Sequence, residues 1–243
     1  MTREERSIKF IKSFEPKKGY FVGNSGGKDS IVLEHLMRRS GVKFKSIFNF
    51  TTVDPPQIRD FLKKYYPDTI WMYPKETMFQ GIIKRDLPRR DARWCCEHLK
   101  HYANKWEVVA TGIRAEESIN RKNNRAEVEF FDEHIMFNPI FKWSTRQIWE
   151  YIKYHKLPYC ELYDKGFSRI GCIGCPMTGY KNLVKEFTMF PNYKKAYLWS
   201  IQKLIDKGLY LDFENAEDVF EWWIQGVSVK KYLGLKKQIK IHF

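Results

Sequence analysis

No apolar run in this sequence is long enough to span a bilayer, and no secretory hydrophobic segment follows Met1. A cytoplasmic protein with no membrane partner is therefore expected. Low-complexity tracts and period-bearing repeats are also missing, which argues against disordered and solenoid classes. Cysteine is scarce and odd in number, with five residues at 95, 96, 160, 172 and 175. Without an export signal, such a set speaks against a disulfide framework and for metal or redox use. Acidic residues are few: 29 Asp and Glu face 43 Lys and Arg, a net charge of +14 spread from end to end. That balance makes a polyanionic partner plausible, although charge alone speaks only to non-specific attraction. Finally, the spacing G-x-x-x-x-G-K-[ST] is absent, so the ordinary nucleoside triphosphatase P-loop is excluded.

What is present begins with Phe21-Val22-Gly23-Asn24-Ser25-Gly26-Gly27-Lys28-Asp29-Ser30. A short apolar run breaks into paired glycines and then resumes with apolar residues at helical spacing, which reads as strand, loop and helix. Gly26 and Gly27 leave backbone N–H groups unshielded at the positive end of that helix, so the loop is built to hold an anion. Lys28 adds a point charge, while Ser25 and Ser30 add hydroxyl donors. The string S-G-G-K-D-S resembles the PP-loop of the ATP pyrophosphatase, or adenine nucleotide alpha hydrolase, superfamily. That resemblance implies cleavage of ATP between its alpha and beta phosphates.

The length of 243 residues suits one large domain or one domain with an appendage, and 43% hydrophobic with 16% aromatic residues describes a folded chain. Residues 3–14 read as an amphipathic helix covering a sheet edge. A helix after the phosphate loop stops at Ser40-Gly41, a strand runs from Phe44 to Phe50, and the loop Thr51 to Pro56 follows. In an open parallel sheet that loop lies beside the phosphate loop, so Thr51 and Asp54 are candidate adenosine contacts. A helix at 57–66 and a strand at 68–73 complete a doubly wound series. Residues 84–93 read as an exposed cationic loop that enters a helix at Glu97 to Asn104. After a strand at 107–110 come Gly112, Arg114 and Arg121, whose guanidinium groups could reach a nucleotide phosphate. A β excursion at 130–139 and a helix at 147–155, capped by Ser144 or Thr145, precede the second cysteine pair. Gly171 and Gly174 there leave room for a tightly wrapped backbone. The fold class expected is α/β, a doubly wound and mostly parallel sheet over residues 1–178. A basic helical extension follows at 179–243, with helical runs near 193–207 and 216–232.

Cys172-x-x-Cys175 alone is shared by zinc, thioredoxin-like and iron-sulfur sites. The adjacent pair Cys95-Cys96 cannot form the usual zinc knuckle and is better accommodated by a larger cluster with separate iron corners. Trp94-Cys95-Cys96 with Lys100, Thr111-Gly112-Ile113-Arg114 through Glu117-Ser118 and Arg121, Asn138-Pro139-Ile140 before Trp143, and Leu162-Tyr163 through Cys172-x-x-Cys175-Pro176 together resemble the PAPS/APS reductase family over about residues 20–178. The family includes reductases of adenylylated sulfate and an ATP pyrophosphatase of DNA phosphorothioate modification. The resemblance implies Cys95, Cys96, Cys172 and Cys175 as ligands of a 4Fe-4S cluster, and residues 25–30 as the phosphate loop.

Two departures from the reductases lead to the functional expectation. No cysteine follows Cys175, where those enzymes carry a nucleophile near the C-terminus, and the phosphate loop keeps both Lys28 and Asp29. The expectation is an ATP pyrophosphatase that adenylylates a nucleic-acid oxygen so that sulfur can replace it. Lys28, Asp29 and Arg114 are the catalytic candidates, and ATP, Mg2+ and a 4Fe-4S cluster the ligands. DNA is the first choice of partner and tRNA the second, with a cysteine desulfurase as sulfur source; oligomeric state is left open. The alternatives are a PAPS or APS reductase, for which only Cys160 is spare, and a non-catalytic nucleic-acid-binding module. Cys160 by itself reads more readily as packing than as a nucleophile.

Overall fold

The computed structural model describes residues 1–100, 107–131 and 134–241, with side chains through Lys236. Two compact units are present: Met1–Phe50 with Asp54–Tyr73 and residues 101–171, and Thr51–Val53 with Pro74–Lys100 and residues 172–243. The second unit gathers stretches from before residue 178 as well as the C-terminal helices. The first cysteine pair, far earlier in sequence, is grouped with the C-terminal helices because their aromatic side chains cover its segment.

The first unit is built on a six-stranded sheet of order β3-β2-β1-β4-β6-β5. Its strands are β1 (Tyr20–Gly23), β2 (Phe44–Asn49), β3 (Ile70–Met72), β4 (Val108–Ala110), β5 (Val128–Phe130) and β6 (Ile135–Phe137). All neighbours are parallel except the β5–β6 hairpin. The hairpin accounts for the expected β excursion, of which residues 132 and 133 lie outside the described residues. Tyr20, Phe21 and Val22 are all buried, as a central parallel strand covered on both faces requires. Strand order turns back between β1 and β4, and the crevice beyond their carboxyl ends is the place where such sheets bind ligands.

Helix α1 (Arg3–Ser13) opens with a capping box between Thr2 and Glu5. It covers a sheet face rather than the expected edge. Ile11 is wholly buried, and the rings of Phe10 and Phe14 lie 4.8 and 4.9 Å from that of Phe137 on the interior strand β6. Helix α2 (Lys28–Ser40) buries Ile31, Val32, Leu33, Leu36 and Met37, each contributing about 1.5–3 kcal/mol of hydrophobic stabilisation. Helices α3 (Pro56–Tyr65) and α7 (Thr145–Tyr154) complete this unit's covering layers, while the short α6 (Ile119–Asn124) buries no residue, and Ser144 caps α7 as expected.

The second unit holds α4 (Met78–Arg85), α5 (Trp94–Lys100), α8 (Tyr180–Met189), α9 (Pro191–Ile205), α10 (Ala216–Gln225) and α11 (Val229–Ile241). Tyr197 and Trp223 approach to 4.9 Å at its centre, as do Phe187 and Phe220. The cationic stretch 84–93 is less exposed than its charge implies. Lys84 and Arg85 close α4, and Leu87 and Pro88 are buried, the Pro88 carbonyl accepting from Trp223 Nε1 at 2.8 Å. Cys95 and Cys96 lie in the first turn of α5 instead of preceding a helix at Glu97; the expected continuation from 101 to 104 lies outside the described residues. The run expected at 216–232 is broken by Gly226 in a left-handed C-cap. No helix among the described residues is long and apolar enough to cross a membrane.

Candidate active site

Asn24 shapes the phosphate loop. Its side-chain oxygen accepts from the Gly26 amide at 3.0 Å and the Ser30 hydroxyl at 3.3 Å, and its amide nitrogen donates to Glu34 at 2.5 Å. Both residues are completely buried, so the cost of desolvating the Glu34 carboxylate is offset by Asn24, Ser46 and Arg38, which all donate to it. Ser25 and Ser30 hydroxyls stand 3.3 Å apart, and the Gly27 amide reaches Ser25 Oγ at 3.4 Å. The loop thus converges on the first turn of α2, where backbone N–H groups and the helix dipole favour an anion.

Lys28 is almost wholly buried. Its amine lies 3.2 Å from Asp29 Oδ2 and 3.5 Å from the Ser168 carbonyl, and its backbone N–H donates to the Tyr163 hydroxyl at 2.8 Å. Burial raises the Tyr163 phenol above its usual range, so this hydroxyl is a neutral group on the anion-binding amide. Asp29 faces Lys28 with one oxygen and Arg114 Nε, at 2.7 Å, with the other.

Arg114 takes a different part from the one expected. Only 1% exposed, it also donates to Glu116, to the Trp143 carbonyl at 3.0 Å and to Thr145 at 3.1 Å. Most of its donors are engaged inside the protein, where it braces Asp29. Gly112 brings the loop after β4 against α2: a Cβ there would stand 3.0–3.2 Å from Asp29 atoms. Arg121 is paired with Glu117. Burial, with Arg169 and Arg125 nearby, holds its guanidinium below the usual range. Asp54 is buried in the same unit.

In the second unit Cys95, Cys96, Cys172 and Cys175 line one narrow cavity with Thr51, Met78 and Lys100. The Cys172 thiol donates to the Thr51 hydroxyl at 3.4 Å, which places Thr51 beside a thiol. Gly174 turns the chain with φ +75°, and a Cβ on it would meet Phe187 and Tyr197 at 2.9 Å. Gly171, expected to serve equally, faces open space. The Cys96 neighbour and burial both push the Cys95 thiol up. Among the described residues no three His, Cys, Asp or Glu side chains converge to hold a single metal ion. Cys160, in the first unit, is buried and outside this group.

Residues 19–178 match the phosphoadenosine phosphosulfate reductase domain. The chain belongs to the phosphoadenosine phosphosulfate reductase family. A phosphoadenosine 5'-phosphosulfate reductase of Xylella fastidiosa is 35% identical over 191 residues, covering 72% of this chain and 79% of that one. Protein MJ0973 of Methanocaldococcus jannaschii is 30% identical over 213 residues, 77% of this chain but only 50% of its own length. The chain thus spans about half of that longer relative. The U34-tRNA thiolase NcsA of Methanococcus maripaludis, solved with its [4Fe-4S] cluster, shares the fold at 14% identity, with a TM-score of 0.50, 82% of this chain and 75% of that one covered. The fold is that of the PP-loop adenine nucleotide alpha hydrolases.

Within this reductase family domain, sequence reasoning missed Glu34 and Asn24 as the residues that set the loop, and Tyr163 as the hydroxyl on its amide. Glu34 carried a signal, being the lone acid on the apolar face of α2. Tyr163 stood in the Leu162-Tyr163 motif of the resemblance, but its partner could not be read there, because it meets Lys28 across 135 residues of chain.

Proposed function

We propose that the chain is an ATP pyrophosphatase that activates a nucleic-acid oxygen for replacement by sulfur, releasing AMP and pyrophosphate. The observation that carries this reading is the pairing of a buried Lys28 amine with Asp29 at the N-terminus of α2, the 13-residue helix behind the phosphate loop. The substrate oxygen attacks the alpha phosphorus, and the bond to the beta phosphate breaks with its electron pair leaving on pyrophosphate. Negative charge then grows beside the Lys28 amine and the first turn of α2, where the loop amides and the Ser25 and Ser30 hydroxyls exchange their internal partners for the leaving group. Asp29, held by Arg114, keeps that amine in place. A sulfur nucleophile next attacks the activated centre, and AMP departs with the original oxygen.

The triphosphate oxygens suit the hard-ligand preference of Mg2+, which would supply further charge neutralisation when bound; Asp29, whose two oxygens face Lys28 and Arg114, would join it only by giving up one of those partners. Four soft thiols round one cavity fit a 4Fe-4S cluster, with Cys95, Cys96, Cys172 and Cys175 as its ligands. When bound, that cluster supplies a place to hold or relay sulfur. The tRNA thiolase with such a cluster is a precedent on the same fold. The charge of +14 suits a nucleic acid, with DNA preferred over tRNA and a cysteine desulfurase as donor.

The 35% identity to a phosphoadenosine phosphosulfate reductase supports a second reading, reduction of a sulfonucleotide. Product analysis separates the two. With alpha-labelled ATP and nucleic acid under anaerobic conditions, AMP and pyrophosphate are expected; ADP and phosphate would reject the first reading. Sulfite release from either sulfonucleotide, abolished by Cys160→Ser, would establish the second.

A further inference from the structure

The second unit contains a cavity of about 540 Å³ that neither the phosphate loop nor the thiols explain. Its size is that of a small-ligand site, for which about 300–1,000 Å³ is usual. Tyr210, Trp222 and Trp223 line it, together with Leu183 and Ile224. The polar atoms of the three aromatic residues are already committed: Trp222 Nε1 donates to the Val227 carbonyl at 2.8 Å, Trp223 Nε1 to that of Pro88 at 2.8 Å, and the Tyr210 hydroxyl to Asp86. Trp222 and Trp223 are 6% and 7% exposed, so a ligand meets a narrow apolar margin of each ring beside Tyr210, which favours apolar and ring-edge contact over base-specific hydrogen bonds.

The rim has the opposite character. Arg89 and Arg90 line the same cavity. Arg89 makes only loose ion pairs, 3.4 Å to each of Asp86 and Asp91, and its side chain is 42% exposed. Arg90 donates Nε to the Pro176 carbonyl at 3.0 Å, just beyond Cys175, and is otherwise exposed. Asp91, the acid on the rim, directs its side chain into solvent with 79% exposure. A flat apolar body carrying an anion fits both halves.

We propose that this cavity receives one unstacked nucleotide of a single-stranded nucleic acid, its base among Tyr210, Trp222 and Trp223 and its adjoining phosphates on Arg89 and Arg90. This deepens the proposed function and rests on its nucleic-acid half, not on the ATP chemistry. A base in a duplex is already stacked and paired, so it enters only at the cost of leaving the helix. Single strands are the preferred ligand, with little sequence preference.

The test is fluorescence anisotropy of a labelled single-stranded DNA dodecamer with the full chain, without ATP, across a salt series. Arg89→Ala with Arg90→Ala is expected to weaken binding and to reduce the slope of log K against log salt by about 1.4, two phosphates' worth for a single strand. Thr178→Phe places a ring in the cavity without touching the arginines. It is expected to weaken binding about tenfold, the loss of one stacked base, with the salt slope unchanged. Duplex of the same sequence should compete poorly. Wild-type affinity in Thr178→Phe, or equal competition by duplex, would overturn the proposal. AMP release by the same preparations is scored separately: oligonucleotide binding that Thr178→Phe leaves unchanged defeats this inference alone, no oligonucleotide binding at all defeats with it the nucleic-acid half of the proposed function, and binding without cleavage defeats only the pyrophosphatase.

Discussion

Arg114 illustrates how a residue type narrows a role without settling it. A guanidinium after a strand-end glycine suits a phosphate, yet here it is buried and bound to Asp29, Glu116, Trp143 and Thr145. Removing this guanidinium leaves Asp29 with Lys28 alone and the Trp143 carbonyl and Thr145 hydroxyl without their buried donor, each such loss costing about 1–3 kcal/mol. Arg114→Ala is therefore expected to lower the chemical-denaturation midpoint substantially. A variant with an unchanged midpoint and weakened ATP binding would return Arg114 to the phosphate. Lys28 and Asp29 could be singled out as candidates because the motif that marks them is contiguous. The Tyr163 hydroxyl could not, since nothing local to Leu162-Tyr163-Asp164 announces which amide it will meet.

At the scale of elements, two glycines at close approaches decide how helices meet loops. Gly112 lets the loop after β4 touch the first turn of α2. In Gly112→Ala the methyl must push Asp29 aside, and since a displacement of even 1 Å at such a site is costly, ATP cleavage should fall by about tenfold or more. Steady-state kinetics on folded protein checks this; wild-type turnover would show that the two loops tolerate separation. In the second unit, Gly174→Ala combines a positive φ with collision against Phe187 and Tyr197, whereas Gly171→Ala meets open space. Iron and sulfide assays after anaerobic purification should find about four of each per chain in the wild type and in Gly171→Ala, and markedly less in Gly174→Ala. One zinc per chain would sink the cluster assignment. The helix around Cys95 was legible only in part: tertiary cover places its start one turn before the residue that polarity suggested.

For the whole molecule, pH reaches stability through the contact of α1, α2 and α7. His35 donates to or accepts from the Tyr151 hydroxyl at 2.8 Å, and its ring lies 4.9 Å from that of His155, with Arg38, Arg39 and Glu4 around them. Burial first, then His155 and Arg39, lower the His35 pKa below its ordinary 6.5. The unfolded chain therefore binds the extra proton first. Stability from the neutral ring is complete above about pH 6.5 and declines as pH falls through the lowered folded value. Thermal melts should show a falling Tm below that point in the wild type and a flatter profile in His35→Gln; parallel profiles would remove His35 from the account. The alternation of strands and helices from β1 to β3 could be read from residues alone, because helix periodicity, caps and glycine-rich loops are short-range properties of the chain, whereas the four thiols as one ligand set came from the family resemblance. Tertiary structure alone decided that Thr51 faces Cys172, that Arg114 braces Asp29, that the first cysteine pair joins the C-terminal helices, and that a cavity opens beside Trp222 and Trp223. Those outcomes depend on which side chains burial brings together from distant stretches, and packing, unlike a cap or a turn, leaves no local mark in the sequence.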